Sequence, residues 1–391
     1  MLGLFTLVAG LSQTLWLNFA PILTSIEKRY GVSELEASAL VIVFPLLYVA
    51  LSIHAGRMID RRGYRATVGV AGLVQAAFAC LRIADGRFVT LLVAQIGIAV
   101  AQPYIVNGIS KLVADWFEPA HGAIATGIGT VGMFLGMAIA MGLTPVLEDA
   151  VGLRATMAVF AALAVAAGLA FAALARERGT TEPEAHVPLR DLLRRDLVLL
   201  FLLSFLGLGF FNGLTTWLEA LLAPNGIDAV QAGSVGAVLI VGGIVGAGVV
   251  PAVSDKLRRR KPFVLACACA ALVLVYPLCT TRSQGRALVL GGLLGFFFLP
   301  AYALLLEMTS ELAGAASAGF ATGILMMMGN AGGVVVAVTM AVLKGDGPST
   351  ASSVALLLGT LVGSVVLAAL VRETFHDRGA AGAAAPPVAR A

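Results

Sequence analysis

Uncharged polar and aromatic side chains set at helical spacing inside aliphatic runs are the residues of this sequence equipped to do chemistry, and the chemistry they suit is non-covalent recognition. In the first run Ser12 and Trp16 are four apart on one helix face and Gln13 lies beside them. An indole face takes up a cation or an aromatic ring, and an amide offers both a donor and an acceptor. Later runs carry further groups of this kind, Gln102 and Tyr104, Phe134, Asn212, Trp217, Tyr302 and Asn330, together with the carboxylate of Glu219 and the thioether of Met326. Together with Trp16 and Gln13 they are the candidate lining of a substrate site. Several have bland alternatives. Gln102 equally serves to satisfy the carbonyl freed by Pro103, Met326 equally fills a core, and Glu219, toward the outer end of its run, equally reaches outer water.

A second set of residues suits a gate. Gly56, Asp60, Arg61, Gly63 and Arg65 form a short basic loop between two apolar runs, and Asp255 with Arg258 to Lys261 repeats the plan half a chain later. The two glycines permit a tight turn. Asp115 is placed to pair with Arg61 or Arg65, and Glu307 and Glu311, four apart on one face, with Arg258 to Lys261.

The elements that must position these residues follow from composition. Charged residues make up 12% of the chain against about 25% in soluble domains, and the mean hydropathy is +0.95. Runs of about 20 apolar residues cross a bilayer as helices, since only helices satisfy every backbone group there. The sequence predicts an all-α membrane protein of twelve transmembrane helices, with spans such as 37 to 55 and 66 to 83 flanking the first basic loop. Ala125-Thr126-Gly127-Ile128 recurs as Ala321-Thr322-Gly323-Ile324, 196 residues on. Such a repeat predicts two pseudo-symmetric six-helix bundles, 1–175 and 197–371, with the site at their shared midplane. Residues 176–196, carrying Pro183 and Pro188, read as a cytoplasmic linker, and 372–391 as a disordered cytoplasmic tail. With the N-terminus inside, 18 of the 26 basic residues fall on the cytoplasmic side and 8 outside, which places both termini in the cytoplasm of a cell whose plasma membrane the chain spans many times. The first run is expected to stay as a span rather than be removed as a signal peptide. The net charge of +4 is therefore a topology signal and points to no nucleic acid.

The loop from Gly56 to Arg65 resembles the signature between the second and third helices of the major facilitator superfamily: Gly, three residues, Asp, a basic residue, one residue, Gly, then basic residues. The resemblance covers nearly the whole chain and implies that superfamily's fold. Within it, Gln102-Pro103-Tyr104-Ile105-Val106-Asn107, Trp116-Phe117, and Pro300 with Glu307 and Glu311 are similar to the branch of the feline leukaemia virus subgroup C receptors, which includes choline and haem-linked carriers. Trp16 falls where that branch keeps a ligand-facing tryptophan. Phe134 and Met326 stand where it has glutamines.

No phosphate loop, zinc signature or nucleophile elbow occurs, and Cys80, Cys267, Cys269 and Cys279 lack metal-site spacing. The chain is thus expected to be no enzyme, to need no cofactor and to act as a monomer in the lipid bilayer. The sequence reads as a secondary transporter, active or facilitative, of a small organic solute moved by alternating access. No Arg or Lys lies at mid-membrane, so a cationic, amine-bearing or aromatic solute is favoured over an anion. Protons are the candidate coupling ion, which makes a proton-coupled drug or metabolite exporter the first alternative; a membrane receptor or sensor on a transporter fold is the second.

Overall fold

The computed structural model describes residues 1–117, 119–178, 193–314, 318–344 and 350–375; most of the expected linker and tail lie outside the described residues. Every regular element among them is a helix. In chain order these are α1 (Leu2–Leu17), a short 3-10 turn (Ala20–Ile22), α2 (Leu23–Tyr30), α3 (Glu34–Leu81), α4 (Phe88–Val106), α5 (Gly108–Trp116), α6 (Pro119–Leu174), α7 (Arg195–Leu222), α8 (Ala229–Leu257), α9 (Lys261–Thr280), α10 (Gln284–Ala313), α11 (Ala318–Lys344) and α12 (Ala351–Leu370).

Among the described residues, ten stretches are long and apolar enough to cross a bilayer. Two of them are too long to do so once. At 1.5 Å per residue the 48 residues of α3 would reach about 72 Å, more than twice the ~30 Å hydrocarbon core. Each has one non-helical residue where two helices meet in a kink: Gly63 (φ 78°, ψ 162°) in α3 and Gly152 (φ 79°, ψ 164°) in α6. Only glycine adopts that backbone freely. The expected loop from residue 56 to 65 is therefore shorter than its composition suggested. Helix runs through Asp60 and Arg61, and the break is confined to Gly63.

Packing is dominated by α1 on α6 and α3 on α4 in the first half of the chain, and by α8 on α10 and α7 on α11 in the second. Small residues make this close approach possible where lipid supplies no hydrophobic drive. A Cβ on Gly10 would stand 2.7 Å from the Gly132 carbonyl oxygen, and one on Gly209 would stand 3.0 Å from that of Gly332. The buried apolar residues fall into three clusters. One contains residues of both halves, from Trp16 and Phe44 to Trp217, Val235 and Ala341; the other two each belong to one half, around Phe5 and Tyr64 and around Leu197 and Met308. The halves are thus welded at the end that carries Pro21 and Glu219 and form separate cores at the basic end that carries Gly63 and Arg260.

Candidate functional site

The site begins with a break in a helix. Pro21 has no N–H, α1 stops at Leu17, and the chain re-enters helix only at Leu23. The Leu15 carbonyl left without a helical partner accepts from Arg82 Nη2 at 2.7 Å and from Gln95 Nε2 at 3.3 Å. Arg82 is 1% exposed, donates also to Gln95 Oε1 and to Asn18 Oδ1, and lies over the Phe19 ring. Counted by sequence, Arg82 is one of the 8 basic residues on the outer side. The signal that could have found it is its place inside the expected span 66 to 83, where a lone cation demands partners.

On the turn below the break, Trp16 stacks on Phe44, with ring centroids 6.2 Å apart, and its indole N–H donates to the Val41 carbonyl. The ring is therefore held by its polar edge and 8% exposed. Beside it Gln13 Oε1 and Ser12 Oγ are buried without a hydrogen-bond partner, and so is Asn212 Nδ2 on α7, whose amide fills the space beside Gly333. Unsatisfied buried polar atoms are rare and ask for an explanation. Gln102 is buried on α4. Nearby on the same helix Tyr104 Oη meets His54 Nδ1 at 2.6 Å, and Asn107 accepts from Tyr48 Oη at 2.7 Å while donating to Ser52. Tyr302, half-buried on α10, lines the same cavity as Ser204 of α7.

The other expected lining residues are placed differently. Trp217 is 2% exposed in the shared core, its N–H donating to the Ala337 carbonyl at 3.2 Å. Its ring is a packing element between α7 and α11. Asn330 turns its amide back onto the Met326 carbonyl of its own helix at 2.9 Å, and Phe134 packs against the shared core. Glu219 does not face outer water: it is 7% exposed, and its Oε2 accepts from the Thr24 N–H at the start of α2, 3.3 Å away. It joins the halves at their welded end, where Met141 and Pro145 of α6 also press on Gly233 of α8.

At the basic end the second set of charges comes together. Arg260, 1% exposed, reaches Asp255 at 2.7 Å, Glu307 at 2.7 Å and Glu311 at 3.4 Å. Arg260, and not Arg258, is the pairing arginine. Arg258 ends α8 in the left-handed conformation (φ 53°) and is exposed. In the first half the expected pairing of Asp115 with Arg61 or Arg65 is replaced by an ion pair with Lys111 at 3.5 Å. Asp60, Arg61 and Arg65 are exposed, and Gly56 has open space where a Cβ would be. Ile59 and Tyr64 are buried in that stretch, and the Tyr64 hydroxyl donates to the Arg176 carbonyl and accepts from Trp116 Nε1. Beside it the Glu177 carboxylate occupies the place of a Gly63 side chain.

Residues 2–337 match the family model of the Major Facilitator Superfamily. The chain belongs to that superfamily. Among relatives, the choline/ethanolamine transporter FLVCR1 of Felis catus is 25% identical over 405 residues, covering 95% of this chain and 72% of the relative. The choline/ethanolamine transporter flvcr2a of Danio rerio is 24% identical, covering 90% and 82%. Among solved structures, a bacterial homolog of the human lysosomal transporter Spinster, inward-facing and unoccupied, superposes with a TM-score of 0.72 over 97% of this chain and 96% of that one, at 14% identity. This superfamily member is a multi-pass transporter that moves a small molecule through the bilayer without converting it chemically.

Proposed function

We propose that the chain carries a small organic solute, cationic, amine-bearing or aromatic, by alternating access between two pseudo-symmetric bundles of six helices. Counting the breaks at Gly63 and Gly152 turns ten long stretches into twelve spans. The observation that carries the reading is the group on α1: an indole clamped by its N–H, with Gln13 Oε1 and Ser12 Oγ unpartnered beside it and Asn212 Nδ2 unpartnered on α7. A solute between α1 and α7 would satisfy these atoms and meet an aromatic face. Choline and ethanolamine, the substrates after which those relatives are named, are a cation and an amine, which suits that face. Separate cores at the basic end and a shared one at the other support a state open toward the basic end. The positive-inside rule makes that end cytoplasmic, both termini with it, in the plasma membrane.

The test is substrate-dependent thermal stabilisation of the purified monomer across a panel of amines, vitamins and drugs. Trp16→Ala should remove it with expression intact, and Trp16→Phe should keep part; binding unchanged in the alanine variant sinks the assignment. Glu219 favours a second reading, coupling to protons, because it is a buried carboxylate bridging the halves. If it couples, Glu219→Gln abolishes uptake driven by a pH gradient and leaves exchange intact; equal loss of both modes makes it a closing contact only.

A further inference from the structure

Inside the second half, behind Tyr302, lies a cavity of about 40 Å³ among α7, α9, α10 and α12, lined by Gly207, Val264, Cys267, Phe298, Leu305 and Leu361. Its only polar side chains besides Tyr302 are two serines, and both are already committed: Ser204 Oγ donates to the Leu325 carbonyl at 2.9 Å and Ser364 Oγ to Thr360 at 2.8 Å. The space therefore offers an occupant apolar contacts and no free donor, and water would gain nothing there.

The repeat supplies an internal control. Moving back 196 residues, Gly207 becomes Leu11, and Ala268 and Ser364, which also line the cavity, become Gly72 and Gly168. In the first half Leu11 packs into the cores. Gly72 and Gly168 let α3 close on α6, with a Cβ on Gly168 falling 2.9 Å from the Gly72 oxygen. Filled and closed in one half, the same place is opened in the other by a missing leucine side chain and by two side chains that hold α9 off α12. A Cβ on Gly207 meets nothing within 4 Å. The wall toward the core shared by the halves is Phe298, stacked on Phe211 with ring centroids 6.3 Å apart, and Tyr302 lies one turn further along α10.

We propose that this cavity is a subsite for a small apolar arm of the transported solute, a methyl or ethyl group, entered past Tyr302 from the space between the halves. The proposal rests on the reading of Trp16 and Asn212 as the polar end of the site, and it makes the solute amphipathic.

Cys267 allows the two readings to be tested apart. In full-length protein with Cys80→Ser, Cys269→Ser and Cys279→Ala, ethyl methanethiosulfonate should label Cys267, forming an ethyl disulfide and releasing methanesulfinate. Gly207→Leu should slow that reaction at least tenfold while leaving the thermal midpoint equal or higher, and Tyr302→Ala should speed it. In parallel, ethyltrimethylammonium should stabilise the protein at concentrations about fourfold lower than tetramethylammonium, an advantage lost in Gly207→Leu. No labelling, or labelling indifferent to Gly207→Leu, overturns the subsite. Labelling that depends on Gly207 but ignores Tyr302→Ala means that the cavity opens to the bilayer and holds a lipid chain, which also overturns it. If Cys267 behaves as expected and neither ammonium stabilises the protein, the subsite stands and the cationic solute falls.

Discussion

The two clasps at the basic end occupy equivalent places and are made of opposite materials. Tyr64 and Arg260 are 196 residues apart, as are Asp115 and Glu311, and Glu177 and Glu373. In both halves a glutamate just beyond a long helix, Glu177 after α6 and Glu373 after α12, returns to the basic end. Glu177 lies on Gly63, and Glu373 accepts from the N–H groups of Arg260 and Lys261 at 2.8 and 3.2 Å. An aromatic ring then covers the hub's surroundings: Trp116, itself under Arg178, in the first half and Phe375 under Arg260 in the second. The hubs differ. Tyr64 buries a neutral hydroxyl with one donor and one acceptor satisfied, which is inexpensive to desolvate, whereas Arg260 buries a full charge that depends on three carboxylates. One scaffold position thus tolerates either solution, with different vulnerabilities.

The largest expected difference is mutational. Arg260→Ala leaves Asp255, Glu307 and Glu311 facing one another without their cation and should cost about 3 kcal/mol, the low end for a broken buried pair because two of the carboxylates are partly exposed. Tyr64→Phe leaves only the Trp116 N–H and the Arg176 carbonyl to find water and should cost about 1 kcal/mol. Thermal midpoints of the two variants in one detergent decide it, and equal losses would break the comparison. Adding Glu307→Gln and Glu311→Gln to Arg260→Ala should restore part of the loss, since these sites are coupled.

A smaller effect sharpens it. Raising the salt from 50 mM to 500 mM shortens the screening length to less than about 10 Å, so amide exchange near Arg260 and Lys261 should accelerate while that near Gly63 and Tyr64 stays constant. The smallest effect belongs to Asp60→Asn. Its side chain is exposed, so the midpoint should move by less than about 0.5 kcal/mol. An effect on the gate would instead show as altered cysteine crosslinking between the basic ends of the halves.

Legibility in the sequence tracked how local the cause was. The helical class, the repeat and Gly63 follow from composition and spacing, because bilayer physics and a positive φ act on single residues and short runs. Asp255, Glu307 and Glu311 converge as their spacing indicates. Which of three consecutive arginines joins them was not readable: it depends on Arg258 taking a left-handed cap, a conformation imposed by tertiary context rather than by residue type. Trp217 misled for a similar reason. A tryptophan in an apolar run points to core or to cavity according to the packing of α11, which the run itself does not encode. Tyr64, the hub of the first clasp, was hidden inside a motif read for its charges.

Arg82 carries a further consequence, for how the chain is made. Its partners Leu15, Asn18 and Phe19 come from the first span and Gln95 from the fourth, while Arg82 itself closes the third. During synthesis the cation leaves the ribosome with its α1 acceptors already made and its α4 acceptor still to come. A guanidinium in apolar surroundings is costly until its acceptors surround it, so the third helix gains its full anchorage at that end only when the fourth arrives. The first, third and fourth spans are thereby coupled into one unit of assembly, and the end of α1 at Leu17, which exposes the Leu15 carbonyl, is what makes the coupling possible.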